Sequence, residues 1–365
     1  MEKPELTKEI AYDAIQKFFN NKPFVLFGTG TSCAVDTDYG MGALKDHLEN
    51  EIPRLGLNRR QISEWNGVLK RLNKGRDFES SMDAIVDGTL VRHIIDETAK
   101  HVAGVDRKNV TDILNGTKSW PAATLFKRLV ERLPETDRTL HVATPNYDLS
   151  AEYAFTQAGI PYTTGFWGGV VREHNSGQAK RQMTYVKKIK TGRSKTAKVT
   201  RYLKHLCLYK VHGSLNTFSF NGRIVETDAW EIVPNNAERL IVTPGTSKYK
   251  NLMDQRDALL SDYDQAVKSH SAFLFLGFGF NDTQLVANAI DDKLKNQLCP
   301  GLILTMESNE RIQSLLSESK TTWLVCKHEK DDSTMIYNSV YRNALNLTDT
   351  ALWKFDEFTN KIMGG

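Results

Sequence analysis

Four short polar clusters in this chain each follow an apolar run. Gly28-Thr29-Gly30-Thr31-Ser32 follows Phe24-Val25-Leu26-Phe27, and Thr144-Pro145-Asn146-Tyr147-Asp148 follows Leu140-His141-Val142-Ala143. His212-Gly213-Ser214 follows Leu206 to Val211, and Gly277-Phe278-Gly279-Phe280-Asn281-Asp282 follows Ala272 to Leu276. In the first cluster two glycines one residue apart let the backbone turn sharply and a ligand come close. The hydroxyls of Thr29, Thr31 and Ser32 and the free amides of such a turn suit a phosphate. An ordinary strand-to-helix connection would use glycine in the same way. Asn146 or Asp148 can cap a following helix, whereas the pair can also hold a sugar hydroxyl or orient a water. His212 ends an apolar run, and Gly213 is expected to open access to it. A histidine there suits a general base, because its charge changes near neutral pH. His47, His93, His141, His205 and His328 have nothing distinctive around them.

Clusters of this kind need a scaffold that brings them together. The apolar runs read as buried parallel strands, which are continuous rather than alternating in character. Leu240-Ile241-Val242, ending in Thr243-Pro244-Gly245-Thr246-Ser247, reads as a further such strand, as do Leu302-Ile303-Leu304 and Trp323-Leu324-Val325. Helical spacing of apolar residues lies between them. The expected fold is α/β: a Rossmann-like, mostly parallel sheet with helices on both faces, plus an inserted helical module. Residues 1–54 and 136–330 form the expected core, 55–135 the helical module, 170–205 a basic insertion and 331–365 a C-terminal extension. The module rests on three stripes: Trp65, Leu69 and Leu72; Val91, Ile94, Ile95 and Val102; and Leu125, Leu129 and Leu133. Open sheets of this class bind ligands at the carboxyl ends of their strands, so five strand-end clusters are expected to meet in one crevice.

The bulk properties narrow the class further. The 365 residues are 40% hydrophobic and 25% charged, which is ordinary for a globular protein. No apolar run approaches a membrane span, and Met1-Glu2-Lys3-Pro4-Glu5 has no signal-peptide character. Cys33, Cys207, Cys299 and Cys326 are scattered, with no C-x-x-C pair for zinc or a disulfide framework. A cytoplasmic protein without membrane contact is expected. The net charge of +4 is local: residues 172–204 hold eleven Lys or Arg and one acid, Glu173, so the remainder is net acidic. That segment is either a solvated loop or a docking surface for nucleic acid, an acidic partner or a neighbouring subunit. Its alternation at Met183, Tyr185, Ile189, Val199 and Tyr202 fits a twisted hairpin or a long ordered loop. A nicotinamide dehydrogenase is disfavoured, because Cys33 stands where the third glycine of the fingerprint would be.

Taken in order, the four clusters resemble a sirtuin-type NAD-binding domain over residues 20 to 310. Gly28 to Ser32 resembles the family's Gly-Ala-Gly-x-Ser turn, Thr144 to Asp148 its Thr-Gln-Asn-x-Asp motif and His212-Gly213 its catalytic His-Gly. Gly277 to Asp282 is similar to the late glycine loop of the bacterial sirtuin-like branch. The four-cysteine zinc module of the deacylases is missing, and Gly40-Met41-Gly42-Ala43-Leu44 replaces their Pro-Asp-Phe-Arg stretch. The inserted helical module and the missing zinc instead resemble sirtuin-like effectors of bacterial anti-phage defence, which hydrolyse NAD. The resemblance implies NAD as substrate and no metal. Gly28, Thr29, Gly30, Thr31 and Ser32 would hold the pyrophosphate, and Gly277, Phe278 and Asp282 would line the adenosine side. Asn146 would place the water or ribose, Asp148 would fix the ribose or nicotinamide side, and His212 would take a proton. It further implies a homo-oligomer, with a HerA-like hexameric ATPase as partner.

Overall fold

A computed structural model describes residues 3–76, 81–82, 85–190, 196–229, 231, 236–241, 250–286 and 289–364. Phe24–Phe27 is the middle one of seven parallel strands in a nine-stranded sheet. To one side of it lie Thr139–Thr144, His205–Lys210 and Tyr162–Thr163, in that order. To the other lie Phe273–Leu276, Gly301–Thr305 and Thr322–Lys327. These seven strands are parallel. Thr334–Tyr337 and Leu345–Leu347 close one edge in antiparallel register. The α/β, mostly parallel architecture expected from the sequence is therefore present.

The apolar runs work because alternate residues serve opposite faces. Val25 and Phe27 join the core beneath the helices Lys8–Phe18, Ala123–Glu131 and Ser150–Gln157. Phe24 and Leu26 join the core beneath Lys250–Ser269, Ile290–Lys295 and Glu310–Glu318. Leu125, Phe126 and Leu129 therefore pack under the sheet. A third core gathers Leu44, Leu48, Trp65, Val68 and the Leu90–Val105 side of the helix Gly88–Asn115. That long helix starts at Asp87, whose carboxylate accepts from the amides of Thr89 and Leu90, and stops at Gly116 in the left-handed region.

One expected strand belongs elsewhere. Ala237–Ile241, read from Leu240-Ile241-Val242 as part of the parallel sheet, pairs antiparallel with Gly213–Phe220 in a second, five-stranded sheet. Its apolar end matched the parallel pattern, but its partner is the strand that follows His212. The cluster Thr243 to Ser247 lies outside the described residues. The basic segment contains a two-stranded antiparallel ribbon, Thr184–Lys190 with Thr196–Tyr202, in agreement with the hairpin reading.

Candidate active site

The strand order reverses across Phe24–Phe27: the chain first builds outward on one side and then crosses to Phe273–Leu276 on the other. Ligands bind such sheets at this switch point. Here the two glycine turns, after Phe27 and after Leu276, lie against each other. The amide of Gly28 donates to Leu276 O at 2.9 Å, and that of Gly30 to Gly277 O at 3.0 Å. A Cβ on Gly28 would meet Gly277 O at 2.7 Å, one on Gly30 would meet Gly277 Cα at 2.8 Å, and one on Gly277 would meet Gly30 C at 2.8 Å. The glycines thus serve backbone-on-backbone packing between two loops.

Four loops close into a ring through direct bonds. The Asn146 side-chain amide donates to Gly28 O and to Ser32 Oγ, both at 3.1 Å. Ser32 Oγ donates to Asp148 Oδ2 at 2.9 Å. The Val211 amide donates to Thr144 O at 3.2 Å and the Leu215 amide to Tyr147 O at 3.0 Å. His212 Nε2 contacts Asp282 Oδ2, which joins the third loop to the fourth. The glycine contacts join the fourth to the first.

The site residues named from sequence divide in a way the sequence did not indicate. Gly30 is exposed and Thr29 half-buried, whereas Gly28, Thr31 and Ser32 are buried. Thr31 Oγ1 donates to Gly28 O, and the Ser32 hydroxyl is bonded to Asp148. The amides of Gly28, Gly30 and Thr31 already have carbonyl partners. Most of the polar groups of the expected cradle thus hold the loops together in this structure. Gly277 packs on Gly30, and Phe278 is buried against Phe275 and Phe280. Asp282 pairs with His212. Gly213 also has a different task from opening access. Its φ is +71°, and a Cβ there would lie 1.8 Å from Leu240 O, so the residue admits the neighbouring strand.

Two buried polar atoms in the ring have no protein partner among the described residues: Asn146 Oδ1 and His212 Nδ1. Buried polar atoms are normally bonded, and the exceptions call for a water or a ligand. The Asp282 carboxylate opposite Nε2 favours the tautomer with its proton there, which leaves Nδ1 as the acceptor. Asp282 Oδ1 also accepts from the Leu285 amide at 3.3 Å, which holds the carboxylate in place.

Behind the ring sit residues that sequence reasoning missed. Asp106, fully buried on Gly88–Asn115, accepts from the Leu149 amide at 3.0 Å and from Tyr39 Oη at 2.7 Å. Burial, reinforced by Asp148, pushes its carboxyl up to about 7. Lys210 donates to Asp148 O at 2.6 Å and pairs with Glu152 at 3.0 Å; burial pushes the Glu152 carboxyl up. Both break an apolar pattern: Asp106 lies four residues beyond Val102 on the stripe, and Lys210 near the end of a strand run. A cavity of about 20 Å³ between Thr163, Cys207, Tyr209 and Asp262 has room for water rather than a dinucleotide. Among the described residues no three His, Cys, Asp or Glu side chains are grouped to hold a metal ion, and no helix is long and apolar enough to cross a membrane.

Residues 140–324 match the family model of the SIR2-like domain. The matched segment contains three of the four loops; the sheet brings the Gly28 turn to them from outside it. No curated protein matches the chain.

Proposed function

The chain belongs to the SIR2-like domain family, and from that premise we propose that it is an NAD glycohydrolase, releasing nicotinamide and ADP-ribose. A SIR2-like domain implies NAD binding; the hydrolytic outcome is the proposal. Its principal support is the pair of orphaned atoms, Asn146 Oδ1 and His212 Nδ1, in one ring of loops. Cleavage of the nicotinamide–ribose bond leaves positive charge on the sugar and requires a water to arrive on it. In this reading Asn146 Oδ1 holds that water or a ribose hydroxyl. His212 Nδ1 accepts the proton, with Asp282 stabilising the imidazolium that results. Asp148, fixed by Ser32 and the Ser150 amide, acts by positioning Asn146 and the loop. Half-buried Thr29 and exposed Gly30 are the part of the first turn left to meet the pyrophosphate.

The inserted helical module and the missing zinc module, which resemble defence sirtuin-like effectors, extend the proposal. The chain would act as a cytoplasmic abortive-infection effector against phage, as a homo-oligomer beside a HerA-like hexameric ATPase. The test is purified full-length protein with NAD, alone and with that ATPase, following nicotinamide and ADP-ribose. His212→Ala and Asn146→Ala are expected to lower the rate by about 10²–10⁴. Tight NAD binding with no turnover in either condition would reassign the chain as a nucleotide-binding module.

A further inference from the structure

We propose that the ribbon Thr184–Lys190 and Thr196–Tyr202 is a docking element for duplex DNA, bound through its phosphates without sequence preference. The ribbon lies at the opposite rim of the parallel sheet from the ring of loops. It leads into the amino end of His205–Lys210, and Arg138, next to the amino end of Thr139–Thr144, donates to Tyr202 O at 3.0 Å. Its two strands carry five cations and no acid.

The register sorts these cations by face. Lys188 lies opposite Lys198, and Lys190 opposite Thr196. Side chains of directly opposed residues share a face, so three lysines are gathered there with Thr196 and Thr200. Every residue on that face from Val186 to Lys190 and from Thr196 to Tyr202 is exposed, whereas Ile189, Ala197 and Val199 on the other face are half-buried. Like charges directly opposed across a ladder are destabilising. Lys187, Lys188, Lys190 and Lys198 make no ion pair among the described residues. Arg172, by contrast, is bound to Glu226 at 2.7 Å and to Asp228, and belongs to the fold.

An external polyanion would relieve the repulsion between Lys188 and Lys198. Lysine is depleted at protein–protein interfaces, where arginine and aromatics are enriched, and four of the five cations are lysines. That composition favours phosphate over an acidic protein. A two-stranded ribbon fits the major groove of B-form DNA, whereas the A-form RNA groove is too narrow.

The experiment is a salt titration of full-length protein binding to a labelled mixed-sequence DNA duplex, read by fluorescence anisotropy. Wild type is expected to bind at about 50 mM salt and weaken steeply by about 200 mM. Lys188→Gln, Lys190→Gln and Lys198→Gln together are expected to reduce the slope of log K against log salt by about 3, near one for each lysine neutralised. Lys188→Glu removes the repulsion across the ladder, so it keeps the fold while weakening binding. The proposal fails if wild type does not bind DNA at about 50 mM salt, or if both variants bind as wild type does. It is equally overturned if an RNA duplex, polyglutamate or an anionic lipid vesicle is held more tightly than DNA.

Discussion

At the carboxyl rim of the sheet every loop is bonded to two others, and at the amino rim the ribbon is bonded mainly to itself. The first arrangement buries Ser32, Asn146 and Asp148 and leaves two of the ring's buried atoms without partners among the described residues. The second exposes a row of lysines and sets two of them face to face. About 17 Å of strand separates the rims. A site of the first kind is preorganised, so its selectivity can come from geometry within a small cleft. A surface of the second kind is defined by charge, so its affinity must follow ionic strength. One chain thus carries a short-range recognition device and a long-range one, kept apart by the sheet.

The sharpest way to break this comparison is to damage one rim and read both. His212→Ala is expected to cost about 10²–10⁴ in NAD cleavage while leaving DNA affinity unchanged; loss of both activities would merge the two regions. Asp282→Asn should cost about 10²–10⁴ by releasing the tautomer of His212, and it should change the pH–rate profile more than the KM for NAD. Gly213→Ala is expected to destabilise the fold by roughly 3 kcal/mol or more in urea unfolding, because its Cβ would clash with Leu240 O and its φ is left-handed.

A smaller effect tests how the carboxyl rim is held from behind. The Asp106 carboxyl, pushed up to about 7, binds a proton in the folded state that the unfolded chain releases near pH 4. Between about pH 4 and pH 7 that group makes stability fall as pH rises. Asp106→Asn should flatten this dependence across the window, measured by urea unfolding at a series of pH values. The smallest effect belongs to the ribbon. Lys188→Glu should raise stability by about 0.5 kcal/mol, since it replaces a repulsive cross-strand pair with an attractive one.

The strands of the parallel sheet were legible because two-sided burial demands unbroken apolar runs, and Phe24 to Phe27 and Phe273 to Leu276 have them. Leu240 to Val242 looked the same, because an apolar run does not state its partner. Pairing with Gly213–Phe220 depends on Gly213 admitting the Leu240 carbonyl, an approach between distant positions. Likewise, the spacing of Leu125 and Leu129 revealed an amphipathic face without saying which core it would meet. The contribution of Asp106 could not be derived from spacing, since a carboxylate on an apolar stripe acquires a role only when Leu149 and Tyr39 come to it.

By itself the sequence determined the α/β architecture and the order of four polar clusters at strand ends, since periodicity and composition are local properties. It also determined the isolation of the positive charge. Only the tertiary structure decided what each polar group would spend its bonds on. Thr31 and Ser32 turned inward, Asp282 turned to His212, and Asn146 Oδ1 and His212 Nδ1 were left over. Hydrogen-bond partners are chosen by distance in space, and distances between loops far apart along the chain exist only once the sheet has formed.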